Sequence, residues 1–189
     1  MDRKLTKQAL EYLLRIIDEL PELKLAGDEV LNTKTEPVTI DELEPIVQKM
    51  KYVLLKYREI TNLGRGIAAP QVGILKSVFV TYVEDEFQVF ANPQITEHSP
   101  QSNLYRELCM SLTCLAADVE RSEWIRLKWQ DENGAWHEKK FDGFMARLLQ
   151  HEYAHLQGVL NIDDPNTKSR LFVSFDPAQE KLRPVKTNL

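Results

Sequence analysis

The pentapeptide His151-Glu152-Tyr153-Ala154-His155 constrains this chain more than any other stretch. It sits on a helix predicted over about 143–157. Residues four apart share a helix face, so the two imidazoles can converge on one metal ion. The glutamate after the first imidazole then stands near the open coordination position, where its carboxylate can take a proton from water and later pass it to a leaving group. The bland alternative is a helix with two unconnected histidines. Phe144 and Leu148 fall on or near the same face, and Gly158 stops the helix.

The rest of the chain supplies elements to surround that helix. Residues 1–20 place Leu5, Ala9, Leu13, Ile16, Ile17 and Leu20 at helical spacing, which predicts an amphipathic N-terminal extension. A second helix is predicted over 40–60, with Thr39 and Glu42 at capping-box spacing. Strands are expected over 77–82 and 87–91 around Glu84-Asp85-Glu86, with Asn92-Pro93 breaking the pattern. A short apolar strand is expected over 107–112. Residues 124–130 alternate cleanly, Asp131-Glu132-Asn133-Gly134 turns, and 135–141 returns as a hairpin. This order predicts an α+β fold of mostly antiparallel sheets around a central metal-binding helix. The 189 residues suit one domain, 1–189, with a polar tail from 177 to 189.

Charge and cysteine usage exclude other classes. With 24 basic against 29 acidic residues, the formal charge of -5 offers no general attraction to nucleic acid or anionic lipid. Cys109 and Cys114 form neither a disulfide framework nor a zinc ribbon, which points to a reducing compartment. No apolar run approaches the roughly 20 residues a membrane span needs, and no secretion signal is expected.

A metal on the helix needs a third ligand, and no histidine lies downstream of His155. Asp163, Asp164 and Glu180 are poor candidates. Cys109, at the centre of Glu107-Leu108-Cys109-Met110-Ser111, offers a thiolate, a strong ligand for zinc or ferrous iron. A small buried hydrophobe is the commoner fate of a lone cysteine, and Cys114 is assigned to that class. A third segment, Gly64-Arg65-Gly66-Ile67-Ala68-Ala69-Pro70-Gln71-Val72-Gly73, is a small-residue loop that lets backbone approach a ligand and ends on an amide donor. It lacks the glycine spacing and the Lys-Ser/Thr end of a phosphate cradle.

In this order the three segments resemble the motifs of peptide deformylases: Gly-x-Gly-Leu-Ala-Ala-Pro-Gln, Glu-Gly-Cys-Leu-Ser and His-Glu-x-Asp-His-Leu-x-Gly. The likeness runs from about Gly27 to Asp163 and takes in Val38, Asn92-Pro93, Arg121, Asp131 and Gln150. It implies that Cys109, His151 and His155 bind one divalent ion, Fe2+ first, with Zn2+, Ni2+ or Co2+ as substitutes. Glu152 would be the proton carrier, and the Gln71 side chain and the Met110 backbone N–H would stabilise the oxyanion. Gly66 would hold substrate backbone, Phe144 and Leu148 would line the methionine pocket, and Arg65, Ile67 and Leu108 would be further substrate contacts. The implied substrate is an N-formylmethionyl peptide, presented by nascent chains near the ribosome. A bacterial cytoplasm is the default location, with an organelle as alternative.

The chain also departs from those motifs. Ala154 stands where the family has Asp, which predicts that Arg121 has lost a partner, and outer-shell losses can cost about 10–100-fold in affinity or activity. Leu108 replaces a glycine, which is expected either to narrow the cleft or to change the backbone near Met110. Thr113 stands where proline is usual. Arg65 replaces an aliphatic residue: either a solvated side chain, or a charged cleft wall that prefers acidic peptides or another acylated substrate. Three readings follow: a deformylase, a related metallo-amidase or metallopeptidase with altered substrate, or a catalytically weak deformylase-like binding protein. The intact ligand set and Glu152 favour an enzyme.

Overall fold

The computed structural model describes residues 11, 13–113, 115–176 and 181–184. Most of the predicted 1–20 helix and Cys114 lie outside them. Helix α1 covers 13–19 and buries Ile16, with Leu20 following into the same core. Helix α2 (Ile40–Thr61) starts where the capping residues place it: the Glu42 carboxylate accepts from the Thr39 amide at 2.8 Å and from its hydroxyl at 3.0 Å. It ends on Asn62, in the left-handed conformation that asparagine tolerates.

Among the described residues nine strands follow: β1 (Gly66–Ala68), β2 (Val78–Val83), β3 (Glu86–His98), β4 (Ser102–Leu108), β5 (Leu115–Ser122), β6 (Trp124–Gln130), β7 (Trp136–Asp142), β8 (Thr167–Asp176) and β9 (Lys181–Pro184). Helix α3 (Gly143–Leu156) lies between β7 and β8. One sheet has the order β1-β2-β3-β6-β7 and the other β4-β5-β8-β9, all pairs antiparallel. Alternation along the strands decides what covers each face of the larger sheet. Val78, Val80, Val89 and Ala91 join the core built with α2, while Phe79, Phe90, Ile125 and Leu127 join the core built with Leu149 and Leu156 of α3. Helix α3 is therefore fixed by an apolar face against a sheet. Among the described residues no helix is long and apolar enough to cross a membrane.

The structure departs from the sequence expectations in two places that matter for the site. The expected strand over 107–112 is extended only to Leu108. Leu108 pairs with Ala116, so the intervening residues must close a hairpin, and Met110–Leu112 do so as a 3-10 turn. The second is Asn92-Pro93, which does not end β3. The strand continues across a register shift between Ala91 and Gln94, with Asn92 at φ 48°. The Asn92 Oδ1 accepts from the Val38 amide at 2.9 Å, and its Nδ2 donates to the Val38 carbonyl and the Gln130 Oε1, both at 2.8 Å. Asn92→Ala removes all three bonds and puts a Cβ residue without that compensation at positive φ. The expected result is a loss of about 2 kcal/mol, read as a lower urea midpoint at unchanged m-value. A change below about 0.5 kcal/mol would mean that the bulge is held by something else.

Candidate metal centre

The end of β4 delivers Cys109 and one turn of α3 delivers His151 and His155. All three are buried, and their ligand atoms lie within 4.8 Å of one another. Cys109 Sγ is 3.3 Å from His155 Nε2. A tetrahedral ion with S and N bonds of about 2.3 and 2.05 Å would separate those atoms by about 3.5 Å. The donor set fits one divalent ion, and thiolate with imidazole suits zinc or ferrous iron. His155 contributes a neutral ring, since burial and the neighbouring His151 hold its pKa well below the usual value.

Orientation of His151 comes from Glu107, which the sequence reading quoted but gave no role. The His151 Nδ1 lies 2.9 Å from Glu107 Oε2, leaving Nε2 for the cluster. Glu107 is itself gripped by two arginines. Arg121 Nε and Nη2 donate to its two oxygens at 2.6 and 2.8 Å, and Arg147 Nη1 donates to Oε1 at 2.7 Å. Burial alone would raise the Glu107 carboxyl, but the bonds from His151 and Arg121 outweigh it and hold the group well below the usual carboxylate range.

The expectation that Arg121 has lost a partner is therefore corrected. Besides Glu107 it meets Asp164 Oδ2 at 3.3 Å, both residues buried, so an acidic group beyond the helix stands against Arg121 although residue 154 is alanine. Arg147 could have been read from the sequence, because it precedes His151 by four and shares its helix face. No sequence signal identified Asp164 as a partner of Arg121.

Glu152 is 3% exposed, and burial pushes its carboxyl up to about 7. It rests against the backbone of β1: a Cβ on Gly66 would lie 2.5 Å from Glu152 Oε1, so only glycine leaves the carboxylate its room. Glu152 Oε2 is buried with no hydrogen-bond partner among the described residues, a polar atom aimed at something absent from the chain itself. Gln71 is locked on both ends of its amide. Its Oε1 accepts from the Ala68 N–H at 2.9 Å, and its Nε2 donates to Ser111 Oγ at 3.1 Å and Cys109 Sγ at 3.6 Å. Met110 opens the 3-10 turn after Cys109, where backbone N–H groups have no partner within the turn itself.

A cavity of about 240 Å³ opens onto these groups. Arg65, Gly66, Gln71, Leu108, Cys109, Met110, Phe144, Leu148, His151 and Glu152 are among the residues that line it, with Tyr105 and Arg147. Ile67 is not. Strand alternation turns it away from the cavity into the α2 core, where it is fully buried.

Residues 21–170 match the family model described as polypeptide deformylase. A peptide deformylase of Treponema pallidum (strain Nichols) is 38% identical over 151 residues, covering 79% of this chain and 90% of the relative. One from Thermotoga sp. (strain RQ2) is 35% identical over 153 residues, covering 80% and 90%. Among solved structures, a Synechococcus elongatus peptide deformylase in complex with actinonin superposes with a TM-score of 0.70 at 35% identity, covering 78% of each chain. The Thermotoga maritima peptide deformylase gives 0.66 at 35% identity, covering 75% of this chain and 94% of that one.

Proposed function

This chain belongs to the peptide deformylase family and acts as a metal-dependent hydrolase of formylated peptides, and we propose that its substrates are N-formylmethionyl peptides of nascent chains, hydrolysed to formate and a free N-terminus. The observation that carries this reading is the cluster of Cys109, His151 and His155 with the buried Glu152 beside it.

Cys109, His151 and His155 would hold one divalent ion, with Fe2+ the proposed native metal and Zn2+, Ni2+ or Co2+ as substitutes. When bound, that ion supplies Lewis acidity, polarising a carbonyl and making water more acidic. Glu152 takes a proton from water as its oxygen adds to the formyl carbon. As the C–N bond breaks, Glu152 delivers the proton to the departing amine, and formate leaves. Burial raises the Glu152 carboxyl above the usual carboxylate range, which favours its taking the proton from water. The Met110 N–H, and the Gln71 N–H that here meets Cys109 Sγ only at 3.6 Å, would donate to the oxyanion that develops on the formyl oxygen, while the bonds to Ala68 and Ser111 keep the Gln71 amide in place. Donors fixed beforehand cost no reorganisation, and each is worth about 2.7–4 kcal/mol in comparable sites. Gly66 gives substrate backbone access beside Glu152, and Leu108, Phe144 and Leu148 contribute apolar wall. Supply of substrate at the ribosome and a cytoplasmic location complete the proposal.

The test is formate release from formyl-Met-Ala-Ser by protein purified anaerobically and loaded with Fe2+ or Zn2+. Turnover that disappears with a chelator and returns with metal supports the reading. Stoichiometric metal without formate would overturn the proposed substrate.

A further inference from the structure

Among the described residues three arginines line the cavity, and two of them are already spoken for. Arg106 binds Asp118 through Nε and Nη2 at 2.8 and 3.0 Å. Arg147 donates to Glu107 Oε1 and to the carbonyls of Val119 and Asn103. Arg65 differs. It is exposed in the connection between α2 and β1, and among the described residues no acceptor meets its guanidinium. Its neighbour Arg58 supplies no such group, since it donates to the Gly64 carbonyl at 2.7 Å and lies 4.8 Å over the Tyr82 ring.

The position of that free cation gives it a role. Arg65 immediately precedes Gly66, the residue whose missing side chain makes room for the Glu152 carboxylate. The acidic groups of the cavity do not neutralise it: Glu107 is bonded to Arg121, Arg147 and His151, and Glu152 is buried behind Gly66. The chain as a whole carries a formal charge of -5, which by itself favours basic peptides over acidic ones. A preference in the opposite direction needs a local cation at the mouth of the site.

Resting on the deformylase reading above, we propose that Arg65 selects N-formyl peptides bearing an Asp or Glu carboxylate within two residues after the formylated one. The contact is a charge-assisted hydrogen bond at the rim of the cleft, and it is weakened by salt because the guanidinium stays partly hydrated.

The test compares formyl-Met-Glu-Ser and formyl-Met-Ala-Glu with formyl-Met-Ala-Ser and formyl-Met-Lys-Ser. All are C-terminally amidated, so that no terminal carboxylate substitutes for the side chain. The metal-loaded enzyme is expected to favour one or both acidic peptides in kcat/KM by about 3–5-fold over the alanine peptide at low salt, a rim ion pair's worth. The ratio should shrink toward one at high salt, survive in Arg65→Lys, vanish in Arg65→Gln and invert toward the lysine peptide in Arg65→Glu. The matching deformylated products, titrated by fluorescence against the same variants, should show the same order of affinity without turnover. Equal kcat/KM for acidic and neutral peptides, or an acidic preference that persists in Arg65→Gln, would overturn the proposal. Formate from none of the peptides would instead overturn the deformylase reading beneath it, and the proposal with it.

Discussion

Glu152→Gln is expected to lower kcat for formate release by about 10²- to 10⁴-fold while leaving bound metal at one per chain. The substitution keeps the size and planar shape of the side chain, so the close fit against Gly66 survives. What disappears is the ability to accept a proton. No other described carboxylate can take over: Glu107 is committed to Arg121, Arg147 and His151, and its carboxyl is held too acidic to serve as a proton carrier near neutrality. Metal content measured alongside kcat distinguishes the roles. Loss of metal together with activity would make Glu152 part of the metal-binding shell, and retention of a tenth or more of the wild-type rate would point to a different base.

The groups that make Glu152 effective were unequally visible in the sequence. Cys109, His151 and His155 were legible because two of them share a helix face and the third is a strong ligand in a short motif, so local spacing carried most of the information. Helix α2 and the β6–β7 hairpin were legible for the same reason, as their signals are capping, periodicity and turn chemistry. The strand that delivers Cys109 was not. Ser102–Tyr105 of β4 are all exposed, so no alternation marks them, and only pairing with β5 makes them a strand. Asp164 was equally hidden as a partner of Arg121. The two are 43 residues apart, and nothing in either segment says that they meet. Ala154 suggested a lost partner because that inference used one position, whereas the charge balance belongs to a cluster drawn from β4, β5, α3 and the loop after it.

That cluster makes Glu107→Ala the second substitution with a large expected effect, about 3–5 kcal/mol of stability, because it leaves Arg121 and its neighbours buried or half-buried without their shared anion. The signs of the shifts give the loss a pH signature in protein stripped of metal. Glu107 is depressed in the fold, so its contribution is present above its unfolded value of 4.5 and is lost as pH falls below it. His151 moves the other way: burial opposes its charge, but Cys109 and Glu107 push it up to about 10. Its contribution is complete below its unfolded value of 6.5 and fades as pH rises from there toward 10. Wild-type stability should therefore be highest between about 4.5 and 6.5 where these two groups are concerned, and Glu107→Ala should flatten both flanks in urea midpoints measured across pH. Metal brings a second consequence. A ligand imidazole must be neutral, and Glu107 accepts its remaining Nδ1–H, so the variant should also bind metal about 10–100-fold more weakly. Glu107→Gln separates the two effects, since an amide oxygen can still accept from His151 but cannot balance two guanidinium groups. If Glu107→Gln matched Glu107→Ala in metal affinity, charge rather than ring orientation would be the contribution of Glu107 to the site.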